Sequence, residues 1–240
     1  PGIMLANSVS KYLNGFGVNF GKKIVIFTNN DSAYQTAIDF HHQNIDISAV
    51  VDVRNDIEGD LPKIVKKLGV KIYSGSIISN TTGRRKIKTV QIKKINDKKV
   101  EVINCDLLCM SGGWSPTVHL FTQSRGKLKF RNEDSCFVPH QAYQKTISIG
   151  ACNGTFDLKN ILKETYTSVN SFLNEEEENS DGEFYDAEKI NVGKQENAWL
   201  INKENIAKSK MFVDFQNDVT AKDIKIALSE GFQSIEHVKR

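Results

Sequence analysis

"KKIVIFTNNDSAYQTAIDF", residues 22–40, decides the fold. Residues 24–27 are apolar and partly β-branched, as a buried strand requires. Residues 32–44 follow with Tyr34, Ala37, Ile38 and His41 on one helical face. A strand, a turn and a helix in this order open a nucleotide-binding unit. In the dinucleotide-binding version the turn reads G-x-G-x-x-G, so that backbone passes close to a pyrophosphate. Here the turn is Thr28, Asn29, Asn30, Asp31, Ser32 and Ala33, with no glycine and with an added carboxylate. Side chains block the close approach that glycine permits. The helix start still offers free N–H groups to an anion, but Asp31 or Ser32 is placed to cap them. The expectation is a nucleotide-binding frame that binds no dinucleotide. Asp52, where a ribose-binding acid would stand, is expected in a surface or capping role.

Outward from this stretch the pattern stays regular. A strand over 47–53, a helix over 61–68 ended by Gly69, and a strand over 70–73 complete a βαβαβ unit. Its crossovers imply a parallel sheet. Residues 77–80, 87–94 and 100–104 alternate apolar with polar, and turn signals at Thr82-Gly83 and Asn96-Asp97 separate them: an antiparallel meander. The apolar run 106–110 feeds a loop of Ser111, Gly112, Gly113, Trp114, Ser115 and Pro116. Short strands are expected over 127–130 and 136–138, a buried strand over 146–149 ending in Gly150 and Ala151, and an amphipathic helix over 158–173. Residues 174–194 carry four successive glutamates and few aliphatics, and read as a linker or exposed excursion. A last segment has an extended stretch at 211–215, Thr220 as N-cap, a helix over 221–230 stopped by Gly231, and a second helix from Ser234.

Composition excludes several classes. A chain of 240 residues holds one large domain or two small ones. The net charge of +3, from 32 basic and 29 acidic residues, gives no basic face for nucleic acid. The most basic stretch, 84–99, alternates with apolar residues as a solvated strand face does. No apolar run reaches the ~18 residues of a membrane span, and no signal peptide is visible. A cytoplasmic protein is expected. Cys105 and Cys109 share a strand face ~13 Å apart, too far for one metal or a disulfide. With Cys136 and Cys152 they read as reduced thiols. The histidines (His41, His42, His119, His140, His237) show neither triad nor ligand spacing. No nucleophile elbow or carboxylate pair appears, so neither a catalytic residue nor a metal ligand is assigned. The chain starts at Pro1 and ends at Arg240 inside a helical pattern, and is expected to be an internal piece of a longer polypeptide.

The order βαβαβ, meander, apolar strand, Gly-rich loop and strand ending in Gly resembles the two-dinucleotide-domain flavoprotein disulfide reductases. In that family the second nucleotide domain is inserted into the first. Ser111, Gly112 and Gly113 stand where a loop carries the chain back to the first domain, and Gly150-Ala151 stands where a Gly-Asp pair ends a later strand. Three stretches are similar more narrowly to the alpha subunits of heterotetrameric sarcosine oxidases: "CDLLCMSGGWSPTVHLFTQSRGKLKF" (105–130), "GACNGTFDL" (150–158) and "FVDFQNDVTAKDIKIALSEGFQSIEHVKR" (212–240). The resemblance implies an α/β chain in five parts. Residues 1–20 are the tail of the first nucleotide-binding domain, 21–110 an inserted, degenerate NAD-binding-like domain, and 111–173 the return into the first. Residues 174–206 are an acidic linker, and 207–240 start a small helical module.

It further implies an assembly with beta, gamma and delta subunits and no membrane or nucleic-acid partner. That assembly oxidises sarcosine to glycine and hydrogen peroxide and passes the one-carbon unit to tetrahydrofolate. FAD, FMN and tetrahydrofolate belong to the wider complex. This chain is then scaffold and part of the NAD-holding pocket, through Gly112, Gly113, Gly150, Ala151, Cys152 and Asn153. The reductases have a ribityl-binding Asp where Ala151 stands, which implies an occupant other than FAD. The last segment resembles a [2Fe–2S] ferredoxin module with Asp214 and Gln216 at two cysteine positions. Such clusters are held by thiolates, so a packing module is expected, with Ile224, Ala227 and Leu228 as its buried stripe. Two other readings stay open: a nucleotide-free interaction module of an amine-oxidising complex, and an NAD(P)H-dependent flavoprotein reductase. The second lacks its glycines and a Cys-x-x-Cys or Cys-x4-Cys pair. The choice between sarcosine and a related amine such as dimethylglycine is not written in these residues.

Overall fold

The structure, a computed structural model, describes residues 1–173, 187–188, 191–197 and 211–238. The first elements are β1 (Ile3–Leu5), α1 (Ala6–Phe16), β2 (Ile24–Thr28), α2 (Ser32–His42), β3 (Ile47–Asp52), α3 (Asp60–Lys67) and β4 (Ile72–Tyr73). Then come β5 (Ser76–Gly83), β6 (Ile87–Lys94), β7 (Val100–Asn104) and β8 (Leu107–Met110). Next are α4 (His119–Gln123), β9 (Lys127–Arg131), β10 (Cys136–Gln141), a 3-10 turn (Gly150–Asn153) and α5 (Leu158–Leu173). The last are β11 (Phe212–Asp214), β12 (Val219–Thr220), α6 (Ala221–Ser229) and α7 (Ile235–Val238). The chain divides into two compact units, Pro1–Ala198 and Trp199–Arg240.

The main sheet is five-stranded, in the order β1-β8-β2-β3-β4, and all its pairings are parallel. A parallel sheet buries both faces, and side chains alternate between them. Ile24 and Ile26 of β2, with Val50, Leu107 and Cys109, face Val9, Leu13, Tyr34, Phe40 and Val65 of the helices. Val25, Val51 and Leu108 face the other way, onto Ile87, Val90 and Ile92 of the three-stranded antiparallel sheet β5-β6-β7. The result is the α/β architecture expected, a Rossmann-like parallel sheet with an antiparallel meander laid over one face. From β2 the chain runs outward through β3 and β4, then β8 returns to β2's other side. This reversal makes a crevice at the C-terminal ends of β2 and β8, the place where such folds bind ligands.

Ahead of β2, in the stretch assigned to the tail of a preceding domain, β1 pairs with β8 (Ile3 opposite Leu108). Helix α1 packs beside α2, where Ser10 Oγ donates to Thr36 Oγ1 at 2.9 Å.

Several expectations need correction. Residues 146–149 are not a strand: Ile149 is extended (φ −132°, ψ 148°), but no described strand pairs with the segment, and Ile147 is exposed. Cys105 and Cys109 do not share a strand face. Strand β7 ends at Asn104 and β8 starts at Leu107, and this break turns Cys105 to the meander side while Cys109 faces the helices. Both are buried free thiols, as is Cys136. In the second unit Thr220 and Asp223 form a reciprocal capping box at the start of α6. The stripe behind it is only half buried at Ile224 and Ala227, and Leu228 is exposed. Most of the expected linker 174–206 lies outside the described residues; residues 191–197 do not.

Candidate functional site

The turn after β2 is closed by its own side chains. Asn30 Oδ1 accepts from the N–H of Ser32 at 2.9 Å and from its hydroxyl at 2.5 Å. The Thr28 hydroxyl bonds the main chain of Asn30. Asn30 therefore caps α2. Asp31, expected as a cap, lies in the helical region and makes no cap bond. Its carboxylate turns instead to Arg54, whose Nη1 donates to Oδ1 at 2.7 Å. Arg54 also forks onto Asp52: Nε donates to Oδ1 at 3.0 Å and Nη2 to Oδ2 at 2.7 Å. The Tyr34 hydroxyl donates to Asp52 Oδ2 at 2.8 Å.

Asp52 is thus no surface or capping acid. It is fully buried, as are Arg54 and Asp31 to within 2%. Two carboxylates can share this crevice because one guanidinium presents donors to both in a fixed fork. Burial alone would lower the guanidinium's proton affinity, but the bonds and charge of Asp52, then Asp31, raise it overall. Burial, then the Asp52 charge, pushes the Tyr34 phenol far up, so it stays a donor. The cluster has a net charge of −1 and no glycine turn. Its donors are already engaged, so it does not fit a pyrophosphate.

The open side of the crevice is covered by residues 191–197. Val192 bridges Gly59 in antiparallel fashion, and the N–H of Asp60 donates to Asn191 O at 3.0 Å. Asp60 Oδ2 in turn accepts from Asn191 N and Nδ2. These bonds, the main-chain one first, hold the Asp60 carboxyl below the usual carboxylate range. The N–H of Gly193 donates to Asp31 Oδ2 at 2.7 Å, and Arg54 Nη1 donates to Lys194 O at 3.2 Å. The N–H of Glu196 donates to Asn29 O, and Asn29 Nδ2 donates to Asn197 Oδ1. A Cβ at position 193 would run into the carbonyl of Glu58, so the strand of peptide fits here because that residue is glycine.

Gly112 and Gly113 lie beside this crevice, in the loop leaving β8. Asn29 Nδ2 donates to Gly112 O, Asn30 Nδ2 to Ser111 Oγ, and Trp114 Nε1 to Ser32 Oγ at 3.0 Å. Gly113 has φ +93° and takes the Gln195 side chain against its Cα. Gln195 Nε2 reaches on to Asp134 O, in the turn between β9 and β10. The loop forms one wall of a cavity of about 790 Å³ whose other walls come from α1 and α2, including Ser32, Ala33 and Thr36.

Gly150, Ala151, Cys152 and Asn153 do not line that cavity. They form the 3-10 turn before α5, with Gly150 at φ +70°. Glu164 of α5 holds the turn: Oε2 accepts the Gly150 N–H at 3.0 Å and Oε1 the Asn153 amide at 2.6 Å. Cys152 Sγ donates to Ile149 O, and Arg131 Nη2 donates to Gly154 O. Ala151 is exposed. In the second unit, Asp214 Oδ1 accepts the Gln216 N–H and Oδ2 the Asn217 amide, which lowers the Asp214 pKa, the Asn217 bond most. Asp214 builds a turn. Among the described residues no His, Cys, Asp and Glu side chains gather as a metal site, and no helix is long and apolar enough to cross a membrane.

Comparison places these features. Over its whole length the chain superposes on an L-proline dehydrogenase from P. horikoshii with a TM-score of 0.65 at 16% identity, covering 44% of that chain. At that identity the likeness shows the fold alone, a Rossmann-like α/β chain. Sequence is more specific. The chain is 31% identical over its whole length to sarcosine oxidase subunit alpha of Corynebacterium sp. (strain U-96), and 29% identical to that of Rhizobium meliloti (strain 1021). Residues 208–240 match the sarcosine oxidase A3 domain. The chain is thus similar over its whole length to sarcosine oxidase alpha subunits, and it spans about a quarter of the length of these curated relatives (26% and 24%).

Proposed function

We propose that the chain is a scaffold and nucleotide-holding stretch of the alpha subunit of a cytoplasmic sarcosine oxidase-like complex. That complex oxidises sarcosine to glycine and hydrogen peroxide, transfers the one-carbon unit to tetrahydrofolate, and includes beta, gamma and delta subunits. Amine oxidation, with FAD and FMN, is assigned in this reading to a partner subunit or to the surface against it. The observation that carries the reading is the Asp31–Arg54–Asp52 cluster. It fills the inserted domain's crevice with paired charge, so a nucleotide belongs elsewhere.

The place proposed for NAD is the discontinuous first domain, against Gly112, Gly113, Gly150, Ala151, Cys152 and Asn153. NAD there is a structural group and supplies no step of the reaction. The turn at Gly150 suits part of it. Ala151 leaves the surface free of a side-chain acid, and Glu164 beneath it can accept from ribose hydroxyls while repelling phosphate. The phosphates therefore belong toward the glycines of the 111–114 loop rather than over Glu164.

A second reading, a nucleotide-free interaction module, is favoured by one fact. The Gly150 N–H and the Asn153 amide are already satisfied within the chain. Mass spectrometry of nucleotide released on denaturing the full complex separates the two. About one NAD per alpha subunit supports the holding role, and its absence supports the module.

A further inference from the structure

We propose that the inserted domain's crevice is a peptide-binding site whose ligand is the chain's own residues 191–197, and that this internal ligand fixes the return loop 111–114. The recognition is directed at main chain. Asp31 takes the N–H of Gly193, Arg54 takes the carbonyl of Lys194, and Asn29 O takes the N–H of Glu196. The Val192–Gly59 bridge and the Asn191–Asp60 bonds anchor one end. This is how extended peptides are read along a protein edge, with backbone bonds supplying affinity and one steric requirement supplying register. Here the requirement is at Gly193, which lies against Glu58 O.

Charge points the same way. The Arg54 guanidinium and the Asp31 carboxylate are both buried, and each directs one remaining bond toward residues 191–197. A site with one donor and one acceptor set side by side matches extended main chain, in which N–H and C=O groups recur along the strand. A dinucleotide offers mostly acceptors. The far end of the segment explains what the occupant does. Gln195 lies on Gly113 and reaches Asp134 O, while Asn197 joins Asn29, which also holds Gly112 O. The segment therefore ties the helix α2 start to the 111–114 loop and to the β9–β10 turn.

Hydrogen exchange read by mass spectrometry tests this on the full-length polypeptide without added nucleotide, so the result does not depend on where NAD binds. In the wild type, peptides covering 191–197 exchange about tenfold or more below the rate of unstructured chain. Gly193→Val, which alters only the segment, removes that protection and speeds exchange at 111–114, while β2 and β3 keep theirs. Asp31→Ala, which alters only the receiving side, gives the same loss at 191–197. Wild-type exchange at the unstructured rate across 191–197 overturns the proposal. So does Gly193→Val with protection intact, or with protection lost at 191–197 but unchanged at 111–114.

Discussion

The carboxylate of Asp31 accepts the main-chain N–H of Gly193 at 2.7 Å, across 162 residues of sequence. Its other oxygen accepts from Arg54. One side chain thus joins the ion cluster that replaces a phosphate cradle to the peptide that covers it.

Arg54 compensates two buried carboxylates, so removing it is worse than losing two bonds. Arg54→Met leaves Asp31 and Asp52 buried with no cation. The expected loss of unfolding free energy is about 3–5 kcal/mol, read from urea denaturation. Arg54→Lys keeps the charge but not the fork, and falls between. A loss below about 1 kcal/mol for Arg54→Met would mean that the cluster is hydrated.

Tyr34 supplies Asp52 with a further donor. Tyr34→Phe keeps the ring in the helix-side core and deletes only the hydroxyl. Loss of a hydrogen bond to a charged acceptor is expected to cost about 1.5–3 kcal/mol. The same substitution made in an Arg54→Met background should cost a different amount, because the two act on one carboxylate.

Much of this could be read in the sequence, and the misses have physical causes. Helix α2 and the meander followed from local periodicity, since each buries one face, and strand β2 from its continuous apolar run, since it is buried on both. Loss of the glycine turn was visible too, because it is a matter of residue type in six consecutive positions. What covered the crevice was not. Asp52 read as a surface or capping acid and Arg54 carried no signal of its own, because their pairing with Asp31 depends on the register between β2 and β3. Residues 191–197 sit in a stretch whose composition signals a linker; many of their contacts are main chain, and the side chains that add to them, Asn191, Gln195 and Asn197, are polar residues that a linker also carries. Glu164 was missed for a similar reason: it meets Gly150 only once α5 folds back over the turn.

Two of the buried thiols make the fold alkali-sensitive. Burial pushes the Cys105 pKa up to about 11 and that of Cys109 up to about 12, from 9.0. The unfolded chain therefore loses these protons first. Their contribution to stability is complete below about pH 9 and is lost as pH rises toward the folded values. Urea midpoints measured from pH 8 to 11 should fall, and Cys109→Ala should flatten the fall. An unchanged slope in that variant would assign the effect to other groups.

The capping box of α6 is a local device in the second unit. Thr220→Ala deletes the side-chain acceptor for the Asp223 N–H and the hydroxyl donor to Asp223 Oδ2, leaving that carboxylate only the main-chain N–H of position 220. The expected cost is about 1 kcal/mol of helix stability, seen as faster hydrogen exchange over α6 with no change in the main sheet. A change in the main sheet would show that the two units are not energetically separate.

The central claim is that the turn after β2 keeps the frame of a nucleotide site but has its crevice filled by other residues of the same chain. A crystal of the full complex soaked in NAD tests it most directly. The account predicts no pyrophosphate density over residues 29–32, with Gly193 still bonded to Asp31. Pyrophosphate density there, with residues 191–197 displaced, would contradict it.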